Sequence, residues 1–140
     1  MSLSLNQKRA QDAFKTSFYN NWESEVKAIV GDGVSVEVAW DTLYHYTEED
    51  SAQLVSEFWS TLYFSPLKTA LTGVCSDTMG KEALTSKLKK IVISGDTEER
   101  DADTATFIDG IFTIKQLPFS EAENESTRAD TWKGILEAGL

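Results

Sequence analysis

The chain has 140 residues, 41% of them hydrophobic and 11% aromatic, with a net charge of −10 from 13 basic and 23 acidic side chains. That length suits one domain, spanning 1–140, with a core large enough to fold without disulfide or metal support. The charge argues against a nucleic-acid partner, whose affinity rests on cationic contacts to phosphate, and against an anionic membrane surface.

The charge is uneven. Residues 1–45 hold 4 basic and 6 acidic side chains, residues 46–95 hold 5 and 6, and residues 96–140 hold 4 and 11. No apolar run approaches the ~18 residues of a membrane span. The opening MSLSLNQKRAQDAF lacks the apolar stretch of a secretory signal. Cys75 is the single cysteine, so no internal disulfide forms and cysteine-based zinc patterns fall away. Together these features point to a reducing, cytoplasmic setting.

In chain order, a first helix is expected over about 5–30. Phe14, Phe18, Trp22 and Val26 recur every four positions, with Ala10 and Ile29 extending the stripe. Gly31 and Gly33 flank Asp32 and stop it after Val30. Then Val34, Val36, Val38 and Trp40 alternate with Ser35, Glu37 and Ala39, a half-buried strand running to about Tyr44.

Thr47-Glu-Glu-Asp50 has the form of a helix-capping box. Leu54, Val55, Phe58, Trp59, Leu62 and Tyr63 follow at helical spacing. Pro66 interrupts and opens a short new helix through Leu67, Ala70, Leu71 and Val74. The stretch GVCSDTMGKE, residues 73–82, resembles a phosphate-binding loop only superficially. Five residues before Gly80 stands Cys75 rather than glycine, and Lys81 is followed by Glu82 rather than by a hydroxyl residue. A helix start capped by Ser76 or Asp77 is the better account, with helix to about Lys90. Lys87, Lys89 and Lys90 then suit the negative end of that helix.

IVIS, 91–94, is a short strand. A charged loop leads to ATFIDGIFTIK, where Asp109-Gly110 signals a two-residue hairpin. Pairing across it sets Ile108 opposite Ile111, Phe107 opposite Phe112, Thr106 opposite Thr113 and Ala105 opposite Ile114. Ala105, Phe107, Phe112 and Ile114 then face the core. Ile108 and Ile111 fall on the other face, near the tip, where the charged loop covers them or a partner meets them. A last helix through Ala129, Trp132, Ile135 and Leu136 ends at about Ala138.

The order of elements predicts an α+β fold. Four strands, 34–44, 91–94, 104–108 and 111–117, form a small, mainly antiparallel sheet. Residues 91–117 make a three-stranded antiparallel meander, and the helices pack mainly on one face.

Three groups bear on chemistry. Trp40, Asp41, Tyr44, His45 and Tyr46 gather polar and aromatic groups at a strand end and form a candidate small-ligand pocket. Catalysis there by the lone histidine is weakly supported, because Asp41 and His45 stand about 13 Å apart along an extended strand. A Cys75–His45 nucleophile pair requires the fold to bring the two together. The acids Asp96, Glu98, Glu99, Asp101 and Asp103 lack the central glycine and terminal glutamate of a calcium loop. No metal, cofactor or catalytic residue is therefore assigned. Tyr19, Tyr44, Tyr46 and Tyr63 are the aromatics expected to reach a surface or pocket, because their hydroxyls need partners.

The favoured reading is a non-catalytic binding or interaction module. It meets a basic protein partner or a second copy of itself, with Ile108 and Ile111 as contact residues. The alternatives are an enzyme or ligand binder at the Trp40–Tyr46 pocket, and an acidic mimic that occupies a nucleic-acid-binding surface.

Overall fold

A computed structural model describes residues 5–40, 42, 59–95, 105–115 and 125–140. The candidate residues Asp41, Tyr44, His45 and Tyr46, the capping box at 47–50 and the charged loop at 96–104 lie outside them.

The N-terminal helix covers the expected span, but it is not a uniform α-helix. Helix α1 (Leu5–Phe14) passes into a π-helical turn (Lys15–Tyr19) and then into α2 (Asn20–Val30), with helical backbone angles at each junction. The extra residue in the π turn changes which side chains face inward. Phe14, Tyr19, Trp22, Val26 and Val30 are buried, and the five-residue step from Phe14 to Tyr19 spans that turn. The four-residue spacing places Phe18 in the core instead. Phe18 is in fact half-buried at the edge of the cluster. Gly31, at φ 103, ends the rod.

A second π turn (Ser60–Phe64) leads into α3 (Ser65–Val74), with Pro66 in the first helical turn. Proline offers no N–H and crowds the carbonyl four residues back. The wider π turn just before it lets the helix continue, so Pro66 does not break the chain direction as its type suggests. Helix α4 (Thr78–Lys87) starts at Asp77, whose Oδ1 accepts a hydrogen bond from the Gly80 N–H at 2.7 Å. The expected cap is therefore present.

Strands β1 (Ser35–Ala39), β2 (Lys90–Ser94), β3 (Thr106–Ile108) and β4 (Ile111–Lys115) form one sheet in the order β1-β2-β4-β3. Helix α5 (Glu125–Ala138) follows. The α+β class and the four strands stand, but β1 stops at Ala39 in a turn at Trp40 and Thr42 rather than running to Tyr44, and β3 begins only at Thr106. The sheet, however, is mixed rather than mainly antiparallel. β1 pairs β2 in parallel, β2 pairs β4 in parallel, and only β3 with β4 is antiparallel. There is no meander.

Two physical reasons account for this. The connection from β1 to β2 contains helices, which is the usual way to reach a parallel neighbour. The connection from β2 to β3 is far longer than a hairpin loop, so it does not force the two strands together. β4 carries Phe112 and Ile114, which are fully buried, and takes the central slot. The short β3, with exposed Thr106 and Ile108, takes the edge.

The registers stack Val36, Ile91, Phe112 and Phe107 in one cross-strand row and Val38, Ile93 and Ile114 in the next. These residues join a hydrophobic cluster with Trp59, Tyr63, Phe64, Leu67, Leu84, Trp132 and Leu136. The opposite face carries Ser35, Lys90, Ile111 and Ile108 in one row and Glu37, Val92, Thr113 and Thr106 in the next. Alternation of this kind makes one face of a sheet apolar and the other polar.

Candidate interaction surface

The hairpin end is built by local backbone chemistry. Asp109 (φ 53) and Gly110 (φ 81) are both left-handed, the geometry of a two-residue turn whose twist matches the flanking strands. The Gly110 carbonyl accepts hydrogen bonds from the N–H of Lys89 at 2.8 Å and of Lys90 at 3.2 Å. A Cβ on Gly110 would stand 2.6 Å from the Lys87 carbonyl oxygen. The tip is thus pinned against the segment leaving α4, and only glycine fits there.

This pinning presents two aliphatic side chains to solvent. Ile108 is 63% exposed and its cross-strand partner Ile111 is 39% exposed. The other large exposed apolar residues among those described, Leu5 and Met79, stand singly at the starts of helices. The expected pairs Thr106–Thr113, Phe107–Phe112 and Ile108–Ile111 are present; Ala105, Phe112 and Ile114 are buried as anticipated, and Phe107 is half-buried.

On the other side of the turn lies an open depression of about 400 Å³ lined by Lys87, Lys89, Phe107, Asp109, Gly110 and Gly139. Three elements meet there: the end of α4, the hairpin and the end of α5. Gly139 lets the α5 terminus close on β3, because a Cβ would stand 2.7 Å from the Phe107 ring. Lys87 Nζ donates to the Leu140 carbonyl at 3.0 Å. The Lys89 stem lies along the turn, and it forms no ion pair among the described residues. Lys90, on the isoleucine side, pairs with Glu37 at 3.2 Å. By sequence alone these lysines read only as helix-end charges. Their convergence on the hairpin depends on tertiary contacts that carry no sequence signal.

Of the proposed ligand pocket, Trp40 alone lies among the described residues. It is half-buried at the end of β1, against Tyr19 (5.0 Å between ring centroids) and Trp59 (5.6 Å). The Lys15 ammonium sits 4.9 Å from its ring centroid. Just beyond, the Thr42 hydroxyl donates to the Ala39 carbonyl at 2.6 Å and accepts from the Gly95 N–H at 2.9 Å. It thereby ties the carboxyl ends of β1 and β2 together.

Tyr19 and Tyr63, the two tyrosines among the described residues, are buried, against the expectation that they reach a surface. Tyr19 is buried, and its hydroxyl donates to Glu23 Oε2 at 2.9 Å. Tyr63 is completely buried. Burial raises both phenols above the ordinary value. The bond to Glu23 adds to the rise at Tyr19, and nearby Arg128 partly opposes it at Tyr63.

Cys75 is half-buried at the end of α3, and its thiol is pushed up by burial, against a smaller pull from Lys81. A nucleophilic cysteine requires the opposite shift. Gly80, central to the GKE motif, serves packing: a Cβ there would stand 2.0 Å from the Val74 carbonyl oxygen.

Among the described residues, no group of three or more histidine, cysteine or acidic side chains is placed to hold a metal ion. None of their helices is long and apolar enough to cross a membrane. Compared with known proteins, the chain matches no family model, no curated protein and no solved structure.

Proposed function

We propose that the protein is a non-catalytic interaction module, acting as a single unit, that binds a protein partner through the end of the β3–β4 hairpin. One observation carries this reading. Ile108 and Ile111 are adjacent, exposed and held on a pinned turn, while Phe112 on the same hairpin is fully buried. A rigid apolar pair loses little entropy when covered, which favours its use as an anchor. The raised Cys75 thiol supports a role without nucleophilic chemistry, and a single unpaired cysteine suits a reducing, cytoplasmic location.

The test is photo-cross-linking from position 108 in the protein's own cell extract, with position 79 as the exposed apolar control. A specific adduct from 108 that disappears in Ile111→Lys is expected. Its mass separates a partner from a second copy. Equal labelling from both positions, or an adduct indifferent to Ile111→Lys, would overturn the reading.

A second reading has its own observation. The parallel pairing of β1 with β2 brings Trp40 and Thr42 beside Ser94 and Gly95, at the carboxyl ends of both strands. Carboxyl ends of parallel strands commonly line ligand sites. This supports a small-ligand pocket using Trp40, Asp41, Tyr44, His45 and Tyr46. Loss of ligand-induced Trp fluorescence change in His45→Ala and Tyr46→Ala is its expected mark. Unchanged titrations in both variants would remove it.

A further inference from the structure

Resting on the interaction reading above, we infer that the hairpin end accepts an acidic, extended segment of a partner protein that also carries one apolar anchor residue. The chain as a whole carries a net charge of −10, yet the described residues at this end include more basic than acidic groups. Lys87, Lys89 and Lys90 converge there, against Asp109 in the turn and Glu37 beside Lys90.

Screening decides which charges a bound segment feels. At physiological ionic strength the Debye length is about 8 Å. A short segment lying on the tip responds mainly to the nearby lysines rather than to the net charge of −10. A nucleic acid would extend well beyond that range and meet the net negative charge of the chain as a whole. A second copy docking tip to tip would set lysines against lysines. An acidic peptide segment has neither handicap.

The two sides of the turn divide the work. Ile108 and Ile111 lie on the same face of the sheet as Lys90. The depression with Lys87 and Lys89 lies on the other side, over Phe107 and Gly139. A chain crossing the hairpin end places its apolar residue on the isoleucines and a carboxylate in the depression. Roughly 10 Å separates the two faces of a sheet layer, which an extended chain spans in about three residues. Lys89 supplies the main attraction, since Lys90 already holds Glu37 and Lys87 the Leu140 carbonyl.

A random peptide display library selected on the immobilised full chain tests this. Selected peptides are expected to share one aliphatic or aromatic residue with Asp or Glu about three positions away. Their binding should fall at least tenfold in Lys89→Glu, and in Ile111→Lys. Raising salt should weaken wild-type binding several-fold and leave the residual binding of Lys89→Glu nearly unchanged. Peptides that require Ile111 but are neutral or basic would overturn the acidic partner while leaving the interaction surface standing. Peptides indifferent to both substitutions, or no enrichment at all, would overturn surface and partner together. Circular dichroism of each variant separates lost binding from lost fold.

Discussion

Trp22 shows how a single side chain ties the helical layer together. Its indole N–H donates to the Phe64 carbonyl at 2.6 Å, 42 residues away, in a buried setting. Phe64 closes the second π turn, and Phe18 and Tyr19 of the first pack on its ring at 6.3 and 5.6 Å between centroids. The indole thus satisfies a backbone group at one irregular turn from the rod that contains the other. Trp22→Phe keeps most of the ring packing, removes the donor and leaves that carbonyl without its buried partner. The expected loss is about 1–3 kcal/mol by urea denaturation, larger than for a typical exposed hydrogen bond. A loss below about half a kilocalorie would mean that water replaces the indole.

At the scale of elements, the decisive feature of the α3–α4 junction is close approach. The Asp77 cap sets the direction of α4, and Gly80 then passes the Val74 carbonyl with no room for a side chain. Gly80→Ala raises intrinsic helix propensity by about 1 kcal/mol, but the methyl would overlap backbone that cannot rotate away. A net destabilisation of about 1–3 kcal/mol is expected, as for other overpacked sites. A stabilised variant in thermal melts would show that the junction relaxes freely. Elsewhere the Lys68–Glu25 pair links α3 to α2, but both side chains are more than a third exposed, so its contribution is about 0–1 kcal/mol.

For the molecule as a whole, the buried phenols set an alkaline limit. Tyr19 and Tyr63 both have folded-state values raised above the ordinary 10.0. A raised value means that the folded protein holds a proton the unfolded chain releases. Stability from these groups is therefore fully present below pH 10 and falls as pH rises beyond it. Urea midpoints should be insensitive to the two tyrosines between pH 7 and 9, then drop above pH 10. Ultraviolet absorbance should show phenolate appearing together with unfolding. Tyr19→Phe should flatten the decline in part. Smooth ionisation of all four tyrosines before any unfolding would contradict the buried placement.

Much of this was legible in the sequence. The long first helix, the alternating strand at Val34–Trp40, the Asp77 cap and the Asp109-Gly110 turn with its register all follow from local rules. Periodicity and turn chemistry act within a few residues, and those residues are adjacent in the chain. The face that Ile108 and Ile111 share also followed, because a two-residue turn leaves one choice of face for each side chain once Phe112 faces inward; whether they stay exposed did not.

What only the tertiary structure decided were the relations between distant segments. Strand order was one: the long connections permit several neighbours, and burial of Phe112 and Ile114 selected the central slot for β4. The π turns were another, since a four-residue spacing and a five-residue spacing differ only in which aromatic reaches the core. The gathering of Lys87 and Lys89 around the hairpin was the third. By itself the sequence determined the elements and their apolar faces, because propensity and patterning are local. The fold decided which faces meet and which charges surround the exposed pair, because burial is a competition among all the apolar surfaces of the chain at once.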